Sequence, residues 1–184
     1  RNNTDYSQET TGVTALLDAD LRFTDYLKAV TQVGFQLDQV DTQSYAGKAT
    51  YAMRKEFYRT EIMGSDGVRR SFLPDGGRHV QSKSTNKQIN WKAQIEFSKR
   101  LAPAHELEAM VGTEIRKTWY DSFSSTAYGY DRKTLTNKPV IFPNESWART
   151  FPLHTESMIE NAYASFYATT SYSLLRRYTF GASV

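Results

Sequence analysis

The chain has no cysteine, which excludes a disulfide framework and any thiolate site. It also lacks an apolar run of about 18 residues, the length a membrane-crossing helix needs. Charge of one sign is missing too. The 23 basic and 20 acidic residues leave a net charge of only +3. No basic helix or basic–aromatic groove stands out, so nucleic acid is not an expected partner. His79, His105 and His154 are far apart, with no HxH or HExxH spacing, so no metal is expected. There is no GxSxG elbow and no phosphate loop. Enzyme activity and a bound cofactor are therefore not expected. No signal peptide is visible. The chain opens on Arg1 rather than Met, and Val184 falls inside an apolar–polar alternation. Both ends read as cuts, so it is expected to be a segment of a longer protein.

What the sequence does have is alternation. Val13, Ala15, Leu17, Ala19, Leu21 and Phe23 share one face of a strand candidate over 13–23. After a turn at Thr24-Asp25-Tyr26, a second strand over 27–40 sets Leu27, Ala29, Thr31, Val33, Phe35 and Leu37 on one face. Ile89, Trp91, Ala93, Ile95 and Phe97 alternate without a break over 88–100. A turn near Leu101-Ala102-Pro103-Ala104 leads to a strand over 106–119 carrying Leu107, Ala109, Val111, Thr113, Ile115 and Trp119. The last pair, 159–173 and 177–184, meets near Leu174-Leu175-Arg176. Period 2 with one apolar and one polar face marks β-strands.

The connections are lopsided. Short turns alternate with long loops near 41–87 and 120–157. Each strand is roughly 9 to 13 residues, against about 9 to 11 for a tilted membrane strand and about five or six in soluble domains. The expectation is an all-β fold: an antiparallel transmembrane β-barrel segment of about six strands in a larger barrel, with short periplasmic turns and long extracellular loops. The mean hydropathy of -0.61 is compatible, because only one face of a barrel strand need be apolar.

Orientation adds a height check. With the short turns periplasmic, the membrane-facing residues nearest them are Phe23, Leu27, Phe97, Leu107, Tyr172 and Tyr178, while Trp91 and Trp119 lie at the opposite rim. Phe23, Trp91, Phe97, Trp119, Tyr172 and Tyr178 are thus expected to be membrane-interface aromatics. The carboxylate pairs Asp18/Asp20 and Glu106/Glu108 fall on polar faces with Lys28, Lys92 and Arg116, and read as a lumenal charge ladder rather than acid–base machinery.

In the loops, 48–62 is ambiguous between a strand extension and a short helix. Gly64-Ser65-Asp66-Gly67 and Pro74-Asp75-Gly76-Gly77 are turn signals. The 41–87 loop carries an excess of basic side chains and reads as a solvated surface, the other reading being a face for anionic lipopolysaccharide or an acidic ligand. The glycosylation sequons at Asn2 and Asn144 read as chance matches. The aromatics Tyr120, Phe123, Tyr128, Tyr130 and Trp147 are the candidate ligand contacts, since aromatic faces stack on sugars and pack apolar peptide side chains. Folding the loop is their competing role.

The stretch Met158 to Val184 carries a family resemblance. Tyr163, Phe166, Tyr167 and Tyr172 precede a basic turn ending Arg177-Tyr178, then Phe180-Gly181-Ala182-Ser183-Val184. Asn90 to Tyr120 has the matching pattern of a strand opening near a Trp, a turn with His105-Glu106-Leu107, and a strand entering a Tyr/Ser-rich loop. The chain resembles the barrel of SusC/RagA-type TonB-dependent outer-membrane transporters. The resemblance implies a barrel of roughly 22 strands with a plugged lumen, in the bacterial outer membrane. It implies uptake of oligosaccharides or peptides, a SusD-like surface lipoprotein as lid, and drive from the TonB complex through a plug domain and TonB box outside this segment. Outer-membrane lipid and lipopolysaccharide would surround it. The rivals are a passive porin-like barrel and a soluble β-sandwich that binds carbohydrate.

Overall fold

A computed structural model describes residues 4–184, so Asn2 and its sequon lie outside the described residues. The elements run β1 (Thr4–Thr24), β2 (Leu27–Ala46), α1 (Tyr51–Arg59), β3 (Glu61–Met63), β4 (Arg69–Ser71), β5 (Gly77–Ala102), β6 (His105–Tyr130), α2 (Glu145–Thr150), β7 (His154–Leu174) and β8 (Tyr178–Ser183). Six strands form one sheet in the order β1-β2-β5-β6-β7-β8, and β3 pairs with β4 in a second. The all-β, antiparallel expectation holds, and the sheet is not closed.

The strands exceed the stretches that alternate. β5 and β6 are each 26 residues long, and β1 and β7 each 21. The reason is that a ladder needs only backbone N–H and C=O groups, whereas alternation is visible only where one face is apolar. Gln8-Glu9-Thr10-Thr11 in β1 and Gln81-Ser82-Lys83-Ser84 in β5 are polar on both faces, so they pair without leaving a periodic trace.

The chain divides into two units: 12–38, 86–120 and 159–184 make one, and 1–11, 39–85 and 121–158 the other. The first is bare sheet. Its large apolar side chains are exposed, including Leu17 at 70 %, Ile95 at 49 %, Val111 at 55 % and Phe166 at 83 %. Scattered exposed leucines are ordinary, but a contiguous apolar face marks an interaction surface. Hydroxyls on this face are turned inward. Thr31 Oγ1 donates to the Lys92 carbonyl at 3.2 Å, Thr113 Oγ1 to Ser165 at 3.1 Å, and Thr170 Oγ1 to Glu108 at 3.3 Å. Trp91 Nε1 donates to Thr31 Oγ1 at 3.0 Å. Each of these four groups finds its partner within the sheet.

On the opposite face Tyr167 lies over Gly112. A Cβ at Gly112 would stand 2.3 Å from Tyr167 Cζ, so only glycine leaves room for the ring. The Tyr167 hydroxyl donates to Gln94 Oε1 at 3.0 Å, and Lys92 Nζ lies 5.5 Å from the ring centre.

The short turns are tight. Asp25 and Tyr26 join β1 to β2, and Ser98 N–H donates to the Tyr26 carbonyl at 2.9 Å. Leu175 and Arg176 both adopt left-handed φ, 55° and 54°, and Arg177 N–H closes the turn on the Leu174 carbonyl at 3.0 Å. Two successive left-handed residues match the twist of a hairpin, though Asn-Gly is the usual choice. Beyond the turn β7 and β8 pair in register from Leu174 opposite Tyr178 to Thr169 opposite Ser183.

The second unit holds the buried apolar cluster of Ala46, Met53, Leu73 and Tyr128. The ambiguous stretch resolves as helix α1. Thr50 caps it, its Oγ1 accepting from Met53 N–H at 3.2 Å, and Ala52, Met53, Arg54, Lys55 and Glu56 favour the helix. Met53 is fully buried. Gly64-Ser65-Asp66-Gly67 is the β3–β4 turn, with Gly67 at φ 76°. Asp66 accepts from Val68 N–H at 3.0 Å and pairs with Arg70 at 2.7 Å. These contacts, the Val68 N–H foremost, hold its carboxyl below the ordinary value. Gly76 and Gly129 meet backbone to backbone, a Cβ on Gly76 falling 2.5 Å from the Gly129 carbonyl carbon. Asn144 caps α2, its Oδ1 accepting from Trp147 N–H at 3.2 Å.

Candidate functional site

The second unit has a cleft of about 160 Å³ between the ends of β1, β2, β5 and β6. Its wall is aromatic. Tyr130 stacks on His79 with centroids 4.7 Å apart, and Tyr45 meets Tyr130 edge-on at 5.9 Å. Arg132 lies 5.5 Å from the Tyr45 ring centre and pairs with Asp5 at 2.5 Å. An open aromatic face beside one cation and one carboxylate can stack a ring or apolar side chain and orient a dipolar ligand. The volume suits one such group, not an extended chain.

The loop aromatics have different fates. Tyr130 sits in this cleft, half-buried. Phe123 is 41 % exposed, stacks on His154 at 6.3 Å, and borders a separate cleft with Lys83, Asp121 and Glu156. Tyr120 is 40 % exposed on β6. Trp147 packs with Phe72 at 5.1 Å and Phe151 at 5.8 Å, so it folds the loop around α2. Tyr128 must be withdrawn as a ligand contact. It is 5 % exposed within the apolar cluster, and its ring has no free face. Burial pushes its phenol above the ordinary value, and the nearby Glu56 charge adds to that.

Tyr45, His79, Arg132 and Asp5 were not expected here. No spacing in the sequence links them, since strand pairing alone gathers them. The one clue was the Tyr130-Asp131-Arg132 run at the end of a strand.

The aromatics expected at a membrane interface lie in the bare sheet. Phe23, Trp91 and Tyr178 are exposed, and Phe97, Trp119 and Tyr172 half-buried. Near the short turns Tyr26 packs edge-on against Phe97 at 5.7 Å, and Lys99 Nζ lies 4.5 Å from the Tyr26 ring centre. Tyr172 shares a hydrogen bond with His105 Nδ1. Lys117 lies 4.8 Å from the Trp119 ring centre and pairs with Glu160. Among the described residues no group of acidic and histidine side chains could hold a metal.

No family model and no curated protein matches the sequence. Solved structures do. The RagAB peptide importer in its closed-closed state matches with a TM-score of 0.72 and 16 % identity over 98 % of this chain. A structure of the RagAB peptide transporter matches equally, and the importer in its open-open state does so at 15 % identity. The chain spans only 17 to 18 % of those chains. These neighbours are described as peptide importers or transporters. The open six-stranded sheet with its long connections therefore has the fold of a segment of a TonB-dependent transporter barrel.

Proposed function

We propose that the chain is part of the wall and extracellular loops of a TonB-dependent importer in the bacterial outer membrane. The observation that carries this reading is the exposed apolar face whose threonine hydroxyls and Trp91 N–H are all bonded within the sheet. Such a face suits lipid. The aromatics near its two rims, with Lys99 and Lys117 reaching over rings, suit headgroup layers, where lipid and lipopolysaccharide would meet them.

The cargo is a peptide or an oligosaccharide. The likeness to peptide importers favours peptide. The cleft of Tyr45, His79 and Tyr130 holds one side chain or sugar ring of the cargo, with Arg132 and Asp5 orienting it. A SusD-like lipoprotein closes the mouth, and the TonB complex supplies energy through parts of the protein outside this segment. The passive porin-like reading shares the wall, and only energy dependence separates the two. Nothing in the bare sheet favours a β-sandwich, which would need a second sheet across the apolar face.

The test follows the native protein carrying this segment. It should fractionate with outer membranes and shift mobility on unheated gels, and cargo uptake should stop in cells lacking TonB. A soluble, detergent-independent species would refute the wall. Uptake that persists without TonB would leave the porin-like reading.

A further inference from the structure

The apolar face is not smooth. A trough of about 450 Å³ crosses β6 and β7 in the bare sheet. Small side chains floor it, Ala109 and Ala168, while Ile95 and Phe97 form one wall and Ala182 and Val184 the other. Its only hydroxyl on that face, Thr170, is already bonded to the Glu108 carbonyl at 3.3 Å, so the trough offers hydrocarbon alone. Apolar surface of this kind favours hydrocarbon over water.

One end of the trough is polar and basic. Two residues beyond Phe97 on the same face is Lys99, and two beyond Thr170 is Tyr172, joined to His105 by a hydrogen bond. The β7–β8 turn is tied beside them, because Leu175 N–H donates to the Ala104 carbonyl at 2.7 Å. That tie sets the backbone next to Arg176 beside the β5–β6 turn. Neither Lys99 nor Arg176 forms an ion pair among the described residues. No acidic side chain alternates onto this face between Phe97 and the turn. Lys99 Nζ lies 4.5 Å from the Tyr26 ring centre, which leaves its charge without an anion, and an apolar channel that ends at cations lacking an anionic partner complements an amphiphile with an anionic head.

We infer that the trough over β6 and β7 binds an anionic glycerophospholipid, with an acyl chain along Ala109 and Ala168 and the phosphate at Lys99 and Arg176. The inference rests on the membrane placement proposed above. With the short turns periplasmic, this rim meets the glycerophospholipid leaflet rather than lipopolysaccharide.

The experiment uses the intact transporter chain, reconstituted in phosphatidylcholine bilayers with trace spin-labelled phosphatidylglycerol or spin-labelled phosphatidylcholine. Electron spin resonance reads the fraction of each label immobilised by the protein. The wild type should prefer phosphatidylglycerol. Arg176→Gln and Lys99→Gln should each lower that preference about fivefold at this site, the factor expected for one cation near the surface. Ala168→Phe fills the trough and should lower it with every charge retained; Ala182→Phe does the same from the other wall should the first variant fail to fold. Arg22→Gln, a cation on β1 outside the trough, should change nothing. Heat-modifiable mobility confirms that each variant is folded. Equal label fractions in the wild type overturn the inference, as does an Arg22→Gln effect as large as that of Arg176→Gln, or no effect from filling the trough. A protein that does not enter bilayers overturns the wall reading as well, whereas one that enters without preference overturns only the lipid site.

Discussion

Replacing Gly112 by alanine tests how the polar face of the sheet is held. The new Cβ would stand 2.3 Å from Tyr167 Cζ, 2.4 Å from its hydroxyl and 2.6 Å from Cε2, so the ring must leave. It then loses its bond to Gln94 Oε1, at 3.0 Å in the native protein, for about 1 kcal/mol. The Lys92 contact at 5.5 Å is worth about 0.5 to 1 kcal/mol, and the cross-strand packing of ring on glycine about the same. Alanine returns about 0.5 to 1 kcal/mol by restricting the unfolded chain. The net loss is about 2 kcal/mol, or roughly 30-fold in the folding equilibrium. Urea unfolding of the intact protein in phospholipid would measure it, with Tyr167→Ala and the double variant completing a cycle. In the Tyr167→Ala background Gly112→Ala should be neutral or mildly stabilising. If alanine destabilises equally with and without the tyrosine, the ring-on-glycine account is wrong.

Other outcomes follow from the same geometry. Ala93→Arg sets a charge on the apolar face and should impair assembly by about 2 to 4 kcal/mol, while Glu114→Arg on the opposite face should assemble; equal tolerance in a heat-modifiability assay would refute the facing. Tyr128→Ala should destabilise the second unit by about 3 to 5 kcal/mol, as loss of a buried ring does, whereas Tyr130→Ala should leave stability intact and weaken cargo binding measured by calorimetry. The Asp66 carboxyl titrates below its unfolded value, so its support of the β3–β4 turn is present above about pH 4 and is lost as pH falls through the lowered folded value. The protection factors at Gly64 and Val68, with the intrinsic pH dependence of amide exchange divided out, should therefore fall on acidification in the wild type, and Asp66→Asn should abolish that fall.

How much was legible in the sequence depended on whether a residue's environment leaves a periodic mark. The bare sheet did: Ile89 to Phe97 alternates because one side meets an apolar medium and the other does not. The outer lengths of β1, β5 and β6 did not, because they are polar on both faces and extended only by pairing. The helix at 51–59 was ambiguous because nine residues carry barely two turns of period, and the deciding contact was the Thr50 cap. Tyr128 and Tyr130 show the limit for sites. They are two residues apart with the same chemistry, yet one fills the core and the other lines a cleft. The difference comes from Met53, Leu73, His79 and Tyr45, which approach from distant parts of the chain.

The inward-turned threonines change how such a wall should be read by eye. A threonine whose hydroxyl is spent on a neighbouring carbonyl presents only its methyl group outward, so to its surroundings it is a valine. Thr31, Thr113 and Thr170 thus lower the apparent greasiness of the chain without lowering that of its surface. A scale that scores residues by type will rank walls of this kind as more water-loving than they are. Substituting valine at Thr113 and Thr170 should leave the wall's affinity for hydrocarbon almost unchanged, whereas at Thr31 it would also take the acceptor from Trp91 Nε1.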